Sequence, residues 1–515
     1  MYFTQTNLRA LLFCENVSIA IQSTVVGLIV TYIFSIIYEE FRRVRAPRVG
    51  KNPWVYGLAR ARADFFKNGK HLTREGYARY KDSMYWVQTG DMERLVLSNR
   101  YLDELRRLSD SYLDSKQAVV QRNLGWYNRV DIILKSTAHV DVCRTQLVQN
   151  LDRVTESQIH DLGSIFQREL PRCFQDQDFH FYNAAETILN IVNRSTAKPL
   201  VGEPLCYNDT WLRTSLETTV NTGKICLDLQ KYPSLLRPLV YPFIESRKKL
   251  NDSFETAQKL LSGVIRGRER GDKNIDILQW LMDGYKGDEF DVPFLANQTL
   301  FVAIASTRST ATSIVNTLFD LINFSQYQHT LRDEITKILM ESGGWSLSAV
   351  QKMKKLDSFI KESQRLNHHL LLSFNRKVLR TVTLSDGLTL PSGTFISTSA
   401  YWTARDPGLF EGGEDFAPWR WLELREAAEV AGKSETPFLA TSTSPENLHW
   451  GYGRNACPGR FMAAAEIKLI LAWILWHFDI SFPHGQVERP ENLFVDERII
   501  PSRSQEIGFR LRQKS

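Results

Sequence analysis

One stretch limits this chain more than any other: Trp450-Gly-Tyr-Gly-Arg-Asn-Ala-Cys-Pro-Gly-Arg-Phe461. Gly451 and Gly453 allow a tight turn and a close approach of backbone to a flat ligand. Cys457 then falls immediately before an apolar-periodic run predicted as a helix from about Pro458 to His477, with proline at its first position. Free amides at a helix start stabilise an anion, so the spacing predicts a sulfur biased toward thiolate. Gly459 leaves space on the same surface.

The other cysteines do not share this setting. Cys14, Cys143, Cys173, Cys206 and Cys226 have neither C-x-x-C spacing nor the density of a disulfide framework, and they read as reduced buried thiols. A zinc site is disfavoured on the same ground. With 43% hydrophobic and 24% charged residues in 515, the chain has material for a large core and not for wholesale disorder. A net charge of +6, without basic blocks or aromatic-basic repeats, argues against nucleic acid.

Val17 to Tyr38 carries no charged residue and is long enough to cross a bilayer as a helix, which takes ~20 mostly apolar residues. Arg42, Arg43, Arg45, Arg48 and Lys51 follow it, against Arg9 alone before it, which places everything after Tyr38 in the cytosol. The expected division is a short lumenal stretch (1–16), a single-pass anchor (17–38), a basic, proline-marked linker (39–53) and one domain (54–515). That domain reads as mostly helical to about residue 370, including Ser325–Met340 and Leu356–Leu366. Strand-like runs fall at 376–398, including 378–382, and a long irregular connection at 405–449.

A cysteine thiolate before a helix, beside paired glycines, suits the fifth coordination position of haem iron, where it donates electron density that favours O–O cleavage. The segment resembles the haem-binding loop of the cytochrome P-450 superfamily. Gly453, Cys457 and Gly459 fit its pattern, Trp450 stands where phenylalanine is usual, and Asn455 replaces an arginine or histidine. Upstream, Glu362-Ser-Gln-Arg365 and Phe416-Ala-Pro-Trp-Arg-Trp421 resemble the family's E-x-x-R helix and its arginine element, in the same order. The resemblance implies a buried bracing network of Glu362, Arg365 and Arg420.

Ala305-Ser-Thr-Arg-Ser-Thr310 aligns with the family's oxygen-side helix, through Leu318-Phe-Asp-Leu321 and Leu331-Arg-Asp-Glu-Ile335. Ser309 takes the place of the proton-relaying threonine, Thr310 follows it, and Arg308 replaces the acid. A serine hydroxyl both donates and accepts, whereas an arginine does not shuttle protons at ordinary pH. The plainer reading is that these hydroxyls bond their own helix carbonyls. The resemblance further implies that Arg376, His139 and Arg144 touch the haem edge, and that Arg454, Arg460 and Lys468 supply cations to an acidic flavoprotein.

Tyr77-Ala-Arg-Tyr-Lys-Asp82, Tyr101-Leu-Asp-Glu-Leu-Arg106 and the run from Arg365 to Gly393 are similar to fungal microsomal ent-kaurene, gibberellin-pathway, indole-diterpene and meroterpenoid oxidases. The resemblance implies a mainly α fold with small β-sheets enclosing haem b behind a transmembrane helix in the endoplasmic reticulum. It implies a monooxygenase acting on a bulky apolar terpenoid-like intermediate of secondary metabolism. Dioxygen and electrons from NADPH would enter through a cytochrome reductase, with cytochrome b5 as a further donor. Desaturation, ring rearrangement or isomerisation on the same haem is the alternative. A non-catalytic haem- or lipid-binding membrane protein is disfavoured, because passive binding requires no thiolate.

Overall fold

The computed structural model describes residues 43–513 except 269–273, 286–290 and His484, together with scattered positions between 22 and 41. The expected anchor at Val17–Tyr38 lies mostly outside the described residues. Among those described, no helix is long and apolar enough to cross a membrane.

Helices carry most of the chain. They include α1 (Leu58–Tyr80), α2 (Ala138–Arg144), α3 (Leu151–Glu169), α4 (Ala184–Val201), α5 (Asp209–Gln230), α6 (Glu245–Arg268) and the 32-residue α7 (Val292–Asn323). Then come α8 (Gln328–Ser342), α9 (Lys354–Leu366), α10 (Arg420–Val430) and α11 (Arg460–His477). Side-chain caps mark several starts: the Asn208 side chain accepts from the Trp211 amide at α5, and Asn183 from that of Glu186 at α4.

The strands used below are β1 (Arg48–Val49), β2 (Met84–Gln88), β3 (Glu93–Leu97), β4 (Leu113–Asp114), β5 (Leu372–Val378), β6 (Phe395–Ser399), β7 (Leu493–Val495) and β8 (Arg498–Ile500). The first six form one sheet in the order β1-β2-β3-β6-β5-β4. The β2–β3 hairpin was not expected in a region read as helical. Four of five residues in each strand are buried, so neither shows the alternation that marks a half-exposed strand. The proline-marked linker is not a free spacer either, because β1 pairs Arg48 with Trp86 and Val49 with Val87. The run at 378–382 breaks after Val378, and the connection at 405–449 contains α10.

Two apolar clusters meet along α7. Its first part packs with α5 and α6 through Leu295, Leu300 and Ala303; its second part packs with α8, α9 and α11 from Ala311 to Leu321. Between them, Ala305, Arg308 and Ser309 are exposed although they lie mid-helix. A helix buried on either side of such an opening lines an internal space. The second half of α7 is tied to α9 by polar contacts. Asp320 accepts from Ser363 Oγ at 2.6 Å and from Asn367 at 3.0 Å, and Arg489 Nε donates to it at 2.5 Å.

Candidate functional site: a cysteine loop facing an open helix

Cys457 is held by its own loop. Its amide donates to Trp450 O at 2.7 Å, the Ala456 amide to Gly453 O at 3.0 Å, and the Trp450 indole to Ala440 O at 2.7 Å. Gly453 has φ 72°, and a Cβ there would lie 2.7 Å from Arg106 Cβ, so only glycine fits. The helix starts at Arg460 with Gly459 as its cap, two residues later than expected. Burial pushes the Cys457 thiol up, against the pull of the Gly459 and Arg460 amides and the Arg460 guanidinium. The predicted pull of the helix start is present, but desolvation outweighs it in the chain alone. A coordinated thiol is deprotonated by its metal.

The bracing residues are brought together. Arg365 and Glu362 are fully buried and bidentate, at 2.9 and 2.7 Å. Glu362 also accepts from Arg420 Nε at 3.2 Å, Trp421 Nε1 at 3.0 Å and the Ala417 amide at 3.0 Å. Arg365 continues to the carbonyls of Gly413 and Asp415 at 2.6 and 2.9 Å.

Arg376 is buried, and among the described residues its side chain makes one hydrogen bond, to the Asn375 carbonyl at 2.8 Å. Burial pushes its guanidinium down to about 10. A register shift between Ser373 and Arg376, with Phe374 at φ 52°, bends β5 here. Arg376 thereby lines a cleft with Tyr452, Arg454 and Asn455 of the cysteine loop. His139 is buried on α2, its Nδ1 without a hydrogen-bond partner among the described residues, packed edge-on to Phe301 of α7 at 5.1 Å, and burial holds its ring neutral with a pKa of about 4. Arg144 is exposed and donates to the Arg454 carbonyl. Asn455 donates to Asp110 at 3.3 Å, as does Arg454 at 3.0 Å.

On α7 the Ser309 hydroxyl donates to Ala305 O at 2.9 Å, the plainer of the two readings, while the side chain stays exposed. Thr310 is buried. Lys468 does not belong to a docking face: it is buried and ion-paired with Asp357, which also accepts from Arg425 at 3.4 Å. Arg460 donates to Cys457 O at 3.0 Å, and only Arg454 of that trio is exposed.

Sequence reasoning missed His369 and His449. Ser313 of α7 lies 3.3 Å from His369 Nε2, and the rings of His369 and His449 are 4.6 Å apart. Burial lowers both imidazoles, keeping them neutral. Their positions, directly after the E-x-x-R helix and directly before Trp450, were the available signal.

These residues fit a flat, acid-bearing ring. A Cβ added to Gly459 would meet nothing within 4 Å, α11 packs against α7, and Ala305 and Ser309 leave α7 open. At the edges, His139 Nδ1 and the Arg376 guanidinium are buried groups short of partners. The fold and the cysteine loop define a haem-thiolate protein. The family model Cytochrome P450 matches residues 126–505, and the chain belongs to that family. It is 33% identical over 496 residues to cytochrome P450 monooxygenase AN1598 of Emericella nidulans, covering 94% of this chain and 91% of that protein. It is 30% identical over 461 residues to ent-kaurene oxidase P450-4 of Gibberella fujikuroi, covering 89% and 91%. The solved structure of retinoic acid bound cyanobacterial CYP120A1 shares the fold, with a TM-score of 0.66 at 16% identity over 91% of this chain and 100% of that one. The protein is a cytochrome P450 monooxygenase that binds haem b through Cys457 and takes electrons from a reductase.

Proposed function

We propose that this monooxygenase hydroxylates, in one or several steps, a bulky apolar terpenoid-like intermediate of fungal secondary metabolism. Electrons come from NADPH through a cytochrome reductase, with cytochrome b5 as a further donor. Val17–Tyr38 tethers the catalytic domain to the cytosolic face of the endoplasmic reticulum. The observation that carries the substrate class is the 30% identity over 461 residues to an ent-kaurene oxidase.

When bound, the haem supplies activation of dioxygen, of which one atom enters a C–H bond and the other leaves as water. The chain's residues set the conditions. Cys457 holds the iron, and the Trp450 indole and Gly453 fix the loop that presents the sulfur. Arg376 and His139 hold the acid edge of the ring, and Arg144 ties α2 to the loop through the Arg454 carbonyl. Glu362, Arg365 and Arg420 brace the segments on which that loop rests. On the opposite side, Ser309 Oγ moves a proton by exchanging its bond to Ala305 O for one to ordered water. Arg308 in place of an acid favours the second reading: redox-neutral rearrangement, which proceeds without NADPH, or desaturation, which consumes NADPH as hydroxylation does and is told from it by a product lighter by two hydrogens.

The test is expression in microsomes with reductase, feeding of a terpenoid panel, and mass spectrometry of the products. A product heavier by one oxygen, dependent on NADPH, is expected. No conversion of any terpenoid by haem-loaded enzyme removes the substrate assignment.

A further inference from the structure

Arg308 is the odd residue of the open stretch of α7. It stands exposed to the internal space, yet enough protein surrounds it that desolvation, with Arg498 and Arg503 nearby, pushes its guanidinium down. Among the described residues it has no hydrogen-bond or ion-pair partner. The acids around its neighbour Arg498 are already paired. Asp91 and Glu497 pair with Arg94 at 3.1 and 2.8 Å, Glu497 faces Arg122 at 3.5 Å, and Asp496 faces Arg498 at 3.6 Å.

The opposite wall is α5. A Cβ on Gly223 would sit 3.0 Å from Arg308 Nη1, so glycine leaves room for the guanidinium. One turn along the same face, Cys226 Sγ lies 3.6 Å from Arg498 Nη2, a poor acceptor for a charged donor. Among the described residues Arg498 Nη1 makes no hydrogen bond, and it faces Asp496 Oδ2 at 3.6 Å. Two guanidiniums therefore address one face of α5: Arg308 from α7, unpartnered among the described residues, and Arg498 from β8, whose charge Asp496 already supports. An unpaired cation in such a place is costly, and a planar anion relieves the cost because a guanidinium fork matches two carboxylate oxygens.

We propose that Arg308, with Arg498 behind it, binds a carboxylate carried by the substrate, so that the enzyme acts on an apolar acid and not on the matching hydrocarbon, ester or alcohol. The inference rests on reading the space over α7 as the substrate site. It explains why an arginine is tolerated mid-helix, and it places the oxidised carbon at a distance from Ser309 set by the acid end of the molecule.

Calorimetric titration of haem-loaded protein tests it with two ligand pairs, abietic acid against methyl abietate and palmitic acid against methyl palmitate. Wild type should bind an acid about tenfold or more tightly than its ester, the size of a charge-assisted contact. Arg308→Gln should abolish the difference by weakening the acid alone, and Arg308→Lys should restore part of it. An Arg308-dependent preference confined to the palmitate pair keeps the carboxylate clamp and removes the terpenoid reading. Methyl abietate bound as tightly as abietic acid, with no preference in the palmitate pair, removes the clamp and leaves the terpenoid reading standing. A preference that survives Arg308→Gln, or no binding in either pair, also overturns the clamp. The wild-type comparison needs no variant, so an absent acid preference overturns the clamp even if Arg308→Gln fails to fold.

Discussion

Replacing Glu362 by alanine would leave Arg365 fully buried with no counter-charge. In the native fold Glu362 accepts five hydrogen bonds, from Arg365 Nε and Nη2, Arg420 Nε, Trp421 Nε1 and the Ala417 amide. What would remain for Arg365 are backbone carbonyls, including Gly413 and Asp415. Removing one partner of a buried pair costs about 3–5 kcal/mol. Arg420→Ala is the internal comparison. It deletes a single 3.2 Å contact from a side chain 14% exposed and leaves Glu362 its other four donors, a loss of about 1–2 kcal/mol. Urea unfolding followed by tryptophan fluorescence and by the haem absorption band should show the midpoint falling more for Glu362→Ala than for Arg420→Ala. Glu362→Gln, which keeps the shape and loses the charge, should fall between them. Equal shifts, or a larger one for Arg420→Ala, would refute the view that Glu362 is the centre of the network.

Cys457→Ala should abolish turnover and the thiolate-type absorption of the reduced, carbon-monoxide-bound enzyme; survival of that band would show that another residue binds the iron. Ser309→Ala should lower the ratio of product formed to NADPH consumed, and an unchanged ratio would end its relay role. Glu466, buried on α11 with Gln158, Ser195 and Thr196 as partners, has its carboxyl pushed up to about 7 by burial. Between about pH 4.5 and 7 the folded protein therefore holds a proton that the unfolded chain has released, and stability falls as pH rises through that window. Glu466→Gln should remove the decline, raising stability by about 3 kcal/mol above neutrality and almost nothing near pH 4; melting temperatures at the two pH values measure it.

The cysteine loop and the E-x-x-R pair were legible because their constraints are local. A glycine at positive φ beside Arg106 tolerates no side chain, and a glutamate three residues before an arginine on one helix meets it by geometry alone. Arg420 was legible only through its surrounding motif. Lys468 was misread because its partner Asp357 lies on a different helix, and nothing local distinguishes a paired buried lysine from a surface one. The β2–β3 hairpin was missed for a related reason: a strand covered on both faces loses its period.

The order of the motifs and the identity of the iron ligand were determined by sequence alone, because each depends on residues adjacent in the chain or one helical turn apart. Tertiary structure decided which charges are taken and which stand free. It paired Lys468, tied Asn455 to Asp110, bent β5 so that Arg376 meets the cysteine loop, and left Arg308 facing Gly223 without an acid. Those outcomes depend on contacts between elements far apart in the chain, where burial sets the strength of a charge and only the packed fold sets burial.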